Sequence, residues 1–280
     1  MPVVDQKIID EDVRHFLAED VGSGDLTAMA IDENKQAKAT LISREVALIS
    51  GHPWFQSVFS SLDSTIQIDW QVVEGAPVDV GGVICTLSGS ARALLTGERA
   101  AINIMQTLSA TTSLAGRYAK AVEGTKTVVL DTRKTIPGLR MAQKYAVRCG
   151  GCKNHRMGLY DGILIKENHI LAAGGIKQAV IAARKTSASV AVEVEVETLD
   201  EVQQALEAQA DILLLDNFTI QQLKQAVALN KGWVMLEASG NVDLTTVRKI
   251  ANTGVDYVSV GALTKNIQAI DLSMCIDLQV

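Results

Sequence analysis

The chain has 280 residues, 48% hydrophobic and 21% charged, with a net charge of −6. This is the composition of a folded protein, so intrinsic disorder is excluded for most of it, and the length allows two domains or one large barrel. No apolar run approaches the roughly 18 residues of a membrane span. The start, Met1-Pro2-Val3-Val4-Asp5, has no apolar stretch of a secretory leader. Four cysteines do not make a disulfide scaffold, and a reducing, cytoplasmic setting is expected. With aromatics at only 4%, the core is expected to be built from Val, Ile, Leu and Ala.

The first 110 residues predict a small α/β sandwich. Asp10 to Ala18 reads as a short amphipathic helix, and Ala37 to Ser50 as a strand pair. Glu74 to Ile84, with Gly75, Pro77, Gly81 and Gly82, reads as a hairpin. It carries no lysine at its tip, so a swinging-arm role is unsupported. A long helical pattern follows from Ala91 to about Val122.

From residue 127 a repeat sets in. Short apolar runs at Thr127–Leu130, Gly162–Ile165, Val190–Glu197, Asp211–Leu215, Trp233–Leu236 and Asp256–Val260 end in polar residues. Helical stretches lie between them, as at Leu199–Ala208, Ile220–Leu229 and Leu244–Ala251. Strands alternating with helices mean βαβ units and a parallel sheet. The tight spacing favours a (β/α) barrel over an open doubly wound sheet, and such barrels gather their chemistry at the C-terminal strand ends. The division expected is residues 1–110 for the first domain and 111–265 for the barrel. A tail over 266–280 is expected to return to the first domain.

Charge is unevenly distributed. Residues 131–166 hold eight Lys or Arg against Asp131 and Asp161, a net +6, which leaves −12 for the other 244 residues. A basic island in an acidic chain suggests a field focused on a small anion rather than on nucleic acid. Arg140, Lys144 and Arg148, at helical spacing, read partly as a solvated helix face.

Arg133 and Lys134 follow the first barrel strand. A guanidinium holds a carboxylate or phosphate bidentately and an ammonium serves as a movable charge, so the pair points to an anionic ligand. Cys149-Gly150-Gly151-Cys152 lacks the second pair that a structural zinc needs. Its glycines read instead as a loop presenting His155 and Arg156. Lys166 ends the next strand and suits either anion binding or a Schiff base of aldolase type. Glu195 and Asp216 close consecutive strands and suit Mg2+, which one or two carboxylates hold together with substrate phosphates. By alternation Glu193 and Glu197 share the face of Glu195. Ser239-Gly240-Asn241, before a helix expected near Val242, and Gly261-Ala262 match the phosphate site that barrels build from their last loops.

Together these segments resemble the quinolinate phosphoribosyltransferase family, nearly end to end. The resemblance is carried by Glu19 to Thr27, Gly97-Glu98-Arg99, Asp131-Thr132-Arg133-Lys134-Thr135, Asn154-His155-Arg156, Lys166-Glu167-Asn168-His169, Glu195, Asp216-Asn217, Ser239-Gly240-Asn241 and Gly261-Ala262. Cys152 departs from it, standing where the family commonly has a third glycine.

The resemblance implies an N-terminal α/β sandwich, a C-terminal barrel with fewer than eight strands, and a homodimer or larger assembly. It implies transfer of phosphoribosyl from 5-phosphoribosyl 1-diphosphate to quinolinate with Mg2+, releasing diphosphate and CO2. It further implies that Arg133, His155 and Arg156 grip the quinolinate carboxylates, with Arg99 arriving from a neighbouring subunit. Thr132 would bind substrate beside them. Lys134, Lys166, Glu195 and Asp216 would form the catalytic set, the two acids ordering the ribose hydroxyls and Mg2+. Ser239, Gly240, Asn241, Gly261 and Ala262 would hold the 5-phosphate. Nicotinate-specific enzymes, a molybdenum-locus homologue and a non-catalytic binding relative share such loops, and the aldolase reading of Lys166 stays open beside them.

Overall fold

The computed structural model describes residues 3–187 and 189–278. Met1 and Pro2 of the leader reading, and Gln279 and Val280 of the expected tail, lie outside the described residues, as does Ala188.

In chain order the first elements are α1 (Gln6–Val21), β1 (Gln36–Ser43), β2 (Ala47–Leu48), α2 (His52–Leu62), β3 (Gln67–Trp70), β4 (Pro77–Val78), β5 (Val83–Ser90) and α3 (Ala91–Ala121). Then follow β6 (Val128–Leu130), α4 (Arg140–Cys149), β7 (Ile163–Ile165), α5 (Glu167–Ala173), α6 (Ile176–Thr186), β8 (Val192–Val196), α7 (Leu199–Glu207) and β9 (Ile212–Asp216). The last are α8 (Ile220–Asn230), β10 (Met235–Ser239), α9 (Val247–Ala251), β11 (Tyr257–Ser259), α10 (Ala262–Lys265) and β12 (Leu272–Asp277). No helix among the described residues is long and apolar enough to cross a membrane.

Two units divide the chain. The first holds Met1–Gly116, Ile136–Gly151 and Asn266–Val280, and the second Arg117–Thr135 and Cys152–Lys265. The border differs from the expected 110/111 division, because residues 111–116 and α4 group with the first unit.

The first unit carries an antiparallel sheet in the order β12-β1-β5-β3, with β2 and β4 as a separate ladder. The expected strand pair over 37–50 is therefore corrected: β1 pairs with β5 and β12, and β2 with β4. The expected hairpin over 74–84 is corrected likewise, since β4 and β5 have different partners. Alternation identifies strands but not their partners, and Pro77 has no N–H with which to extend a ladder. In β1, Ala37, Ala39, Leu41 and Ser43 face inward.

They meet a core around Trp54, Phe55, Phe59, Leu94 and Met105. Phe55 packs edge-on to Phe59 and Trp70, with ring centroids 5.1 and 5.5 Å apart, so the few aromatics are concentrated here rather than absent from the core. The solvated-face reading of α4 fails at Lys144. Residues 142–147 are consecutively buried, so Lys144 lies in an enclosed stretch of α4, while Arg148 near its end is exposed.

The second unit is a parallel sheet in the order β6-β11-β10-β9-β8-β7, six strands of an incomplete barrel. Beyond β6, Lys153 makes a parallel bridge to Leu130 and extends this edge by one short segment. Thr198 with Glu201 and Thr219 with Gln222 form capping boxes that start α7 and α8 directly after their strands. Val192, Val194 and Val196 are buried on one face of β8, so Glu193 and Glu195 occupy the other. β10 starts at Met235, two residues later than expected, and Trp233 before it is 73% exposed.

Candidate active site

The strands of the second unit deliver their terminal side chains to a common cavity. Thr132, Arg133, Lys134, His155, Arg156, Lys166, Glu195, Asp216 and Ser239 line a space of about 310 Å³. Nine residues expected from sequence are thus brought together. The β9–β10 register sets Ser239 opposite Asp216.

Asp131, fully buried at the end of β6, organises the basic wall. Its Oδ2 accepts from Asn154 Nδ2 at 2.6 Å and its Oδ1 from the His155 backbone N–H at 2.9 Å. Arg156 donates through Nη1 to the Gly162 carbonyl at 2.9 Å, which anchors one edge of its guanidinium. Burial, and then the charge of Arg133, push the Arg156 guanidinium below its usual range, while Glu193 and Asp161 act in the opposite sense. Two guanidiniums that disfavour one another across a cavity are an anion site.

Lys134 is held by its backbone. Its N–H donates to Thr132 Oγ1 at 3.0 Å, and its carbonyl accepts from Thr264 Oγ1 at 2.8 Å. A Cβ at Gly261 would stand 3.1 Å from Lys134 Cδ, so glycine leaves the lysine its room. Lys166 starts α5, its N–H donating to His169 Nδ1 at 3.0 Å, and its ammonium is paired with Glu195. This pairing uses Lys166 as a charge and gives no support to an imine-forming amine.

Asp216 is raised above the ordinary carboxylate range, first by burial and then by the charge of Glu195, against the pull of Lys166 and Lys134. Asn217 donates from Nδ2 to Asp216 Oδ2 at 2.7 Å. Its Oδ1 accepts from Asn241 Nδ2 at 3.3 Å. Gly240 and Asn241 do not line the cavity but reach it through this asparagine relay. Gly261 and Ala262 flank it behind Lys134. The helix expected at Val242 starts only at Val247, because Asp243 Oδ1 accepts from the backbone N–H groups of Thr245 and Thr246 and holds a turn there. The five-residue α9 is too short to carry a useful helix dipole. Arg99 belongs to the first unit. It is exposed on α3 and has no hydrogen bond or ion pair among the described residues, so the alternative of a pairing with Glu98 is not seen.

Sequence reasoning passed over a buried trio beneath the cations. His155 Nε2 lies 2.9 Å from Glu193 Oε2 and 3.7 Å from Glu237 Oε2, and its Nδ1 accepts from the Arg156 backbone N–H at 2.8 Å. Both ring nitrogens are therefore engaged, which suits His155 to positioning more than to gripping a carboxylate. Alternation alone held the signal. Glu193 and Glu237 stand two residues before Glu195 and Ser239 on the same inward faces, one layer deeper. The same alternation settles the ambiguity along β8, since Glu195 lines the cavity, Glu193 lies below it, and Glu197 is exposed past the strand end. The thiols do no comparable work. Burial pushes Cys152 up to about 12, and no disulfide joins any of the four cysteines.

Comparison with known proteins agrees with this geometry. The family model "Quinolinate phosphoribosyl transferase, N-terminal domain" matches residues 25–109, and its C-terminal counterpart matches residues 110–275. A probable nicotinate-nucleotide pyrophosphorylase [carboxylating] of Bacillus subtilis is 38% identical over 267 residues, covering 95% of this chain and 92% of the relative. Its Synechocystis counterpart is 39% identical over 271 residues, with the same coverage. The solved nicotinate-nucleotide pyrophosphorylase of Francisella tularensis is 46% identical, with a TM-score of 0.95 over 98% of each chain. By its family models and by these relatives, the chain belongs to the quinolinate phosphoribosyl transferase family.

Proposed function

We propose that the chain transfers the phosphoribosyl group of 5-phosphoribosyl 1-diphosphate to the ring nitrogen of quinolinate and decarboxylates the adduct. The products are nicotinate mononucleotide, for NAD biosynthesis, with diphosphate and CO2. The observation that carries the reading is the convergence of Arg133, Arg156, Lys134 and Lys166 on one cavity that also holds Glu195 and Asp216. One carboxylate does not need so many cations, whereas a dicarboxylate beside a polyanionic donor does.

Arg133 and Arg156 take the quinolinate carboxylates, with His155 fixing the Arg156 backbone and Thr132 fixing Lys134. Lys134 and Lys166 neutralise carboxylate and diphosphate charge. The turns at Ser239-Gly240-Asn241 and Gly261-Ala262 take the 5-phosphate. Ring nitrogen attacks the ribose carbon through an oxocarbenium-like state, and no general base is needed for it. The new pyridinium then accepts the electron pair as the 2-carboxylate leaves.

Glu195 and Asp216 also fit Mg2+. Each carboxylate is beside the other, and burial and then the charge of Glu195 raise Asp216 against the pull of two lysines, so a divalent cation would favour the charged pair. These two residues would hold the ion with phosphate oxygens, and a bound Mg2+ would supply charge neutralisation at the departing diphosphate.

On the same reading the enzyme is a homodimer or larger, and Arg99 completes a neighbour's site. An exposed arginine without a partner among the described residues supports that role. Four cysteines without a disulfide suit a cytoplasmic enzyme. Incubation with quinolinate, the ribosyl donor and Mg2+ should release CO2 and diphosphate in equal amounts. Comparable turnover of nicotinate would favour the nicotinate-specific relatives, and no diphosphate release would favour a binding protein.

A further inference from the structure

Glu237 is a buried acid of the second unit, 1% exposed, and its Oε1 has no hydrogen-bond partner among the described residues. The Oε1 of Glu193 beside it is equally orphaned. Two adjacent buried carboxylates with unsatisfied oxygens are costly, and a single shared proton relieves the repulsion while giving one carboxyl a donor. Glu237, like His155 and Arg156, lies between two spaces. It borders the substrate cavity and a second space of about 290 Å³, which opens among Ile163, Ala191, Ile212 and Tyr257 at the N-terminal ends of the strands. One side of this carboxyl thus faces the substrate and the other faces a separate opening.

We propose that Glu237 is the acid that protonates the substrate carbon after CO2 is lost, and that the second space is the route by which it is recharged from solvent. The inference rests on the phosphoribosyl-transfer reading above. When the bond between C2 and its carboxylate breaks, CO2 leaves and the electron pair stays on C2, next to the pyridinium nitrogen. The Glu237 proton moves to C2, which completes nicotinate mononucleotide and leaves Glu237 as a carboxylate. Water entering from the second space returns the proton. The groups facing Glu237 favour this cycle. Burial and the charge of Glu193 on β8 raise it to about 8, while His155 and the Ser259 hydroxyl on β11 pull the other way. The Arg133 and Arg156 guanidiniums on the cavity walls do not give up a proton, the Lys166 ammonium is paired with Glu195, and Glu195 and Asp216 lie a layer above.

The experiment is a single turnover of Glu237→Gln in which diphosphate, CO2 and nucleotide are each followed. The expected result is diphosphate release near the wild-type rate, quinolinate affinity within threefold, and formation of the final nucleotide slowed about 10²-fold, as for loss of a general acid. Final nucleotide appearing at the wild-type rate would overturn the proposal. Loss of quinolinate binding in a folded variant would do the same, by giving Glu237 a binding role. So would a stoichiometric metal ion in the wild-type protein that leaves with the substitution. If the variant does not fold, the wild-type single turnover decides: formation of the final nucleotide must slow as pH rises through about 8 while diphosphate release does not. A profile flat to pH 9 refutes the assignment. A wild type that releases no diphosphate fails the functional reading itself, and this is a different outcome from normal transfer with an indifferent Glu237.

Discussion

Replacing Gly240 with alanine should damage the donor site and leave the quinolinate site intact. Gly240 has a φ of +97°, and a Cβ there would lie 2.1 Å from Asn217 Oδ1 and 2.7 Å from its Cγ. Asn217 is itself left-handed, at a φ of +56°, and its backbone N–H is tied to the Ser239 carbonyl at 2.9 Å, so the side chain must move rather than the turn. Moving it breaks the bond to Asp216 and the bond to Asn241. A hydrogen bond to a charged group contributes roughly 1.5–3 kcal/mol and a neutral one roughly 0.5–1.5. A left-handed alanine costs about 1–2 kcal/mol more than glycine.

If only the Asp216 bond bears on donor binding, the donor KM should rise at least tenfold, since about 1.4 kcal/mol is a factor of ten. Steady-state kinetics with each substrate varied in turn separates the two sites. Adding Asn217→Ala removes the clashing atoms, so the second substitution should cost less in the Gly240→Ala background than alone. A donor KM within twofold of wild type, or additive effects in the double variant, would refute the relay from Gly240 through Asn217 to Asp216.

Arg133→Ala or Arg156→Ala should each lower kcat/KM for quinolinate by about 10- to 150-fold, from the roughly 1.5–3 kcal/mol of a charge-assisted contact, and near-normal values would remove either residue from the site. Arg99→Ala mixed with Lys166→Ala, each inactive alone, should recover roughly a quarter of wild-type activity once subunits exchange, because random two-fold pairing gives half the dimers one intact site. No recovery, with exchange demonstrated by size exclusion, would place Arg99 in its own subunit's chemistry. The raised Glu237 makes the folded chain hold a proton that the unfolded chain gives up near 4.5, so its contribution to stability is complete below that pH and is lost as pH rises through about 8. Urea unfolding of Glu237→Gln should therefore gain on wild type by a few kcal/mol between pH 5 and pH 9, and a constant difference across that range would contradict the buried acid.

The strands of the second unit were legible because each is a short β-branched or leucine run stopped by a polar residue, a pattern that depends only on local chemistry. The residues at those stops were legible for the same reason, and the structure gathers them in one cavity. What escaped depends on distant partners. β1 and β2 are consecutive in sequence yet lie in separate sheets, because β1 finds β12 more than 200 residues away. Lys144 has the spacing of a surface lysine and lies in a stretch of α4 that is buried over six consecutive residues. The turn at Asp243 delays α9 by one side-chain carboxylate, a competition between local hydrogen bonds that helix propensity does not record. Glu237 was visible as a residue near a strand end, but its depth is fixed only by the register of β10 between β9 and β11.

That depth changes the electrostatic account of the site. Arg133 and Arg156 face one another across a cavity, an arrangement that burial and mutual repulsion both oppose before an anion arrives. Directly beneath, Glu193 and Glu237 with one proton between them carry a single negative charge, and His155 adds none while its Nδ1 accepts an N–H. Glu193 accordingly supports the charged form of Arg156. The guanidiniums are thus held ready by a buried anion that is one layer too deep to compete for the ligand's place. Such fixed charge needs no rearrangement when the dicarboxylate enters, which is the condition under which electrostatic stabilisation is most effective. An arrangement with both acids ionised would instead repel the incoming carboxylates, and one with both neutral would leave the arginines opposed. The single shared proton therefore ties substrate binding to the acid that later serves the carbon.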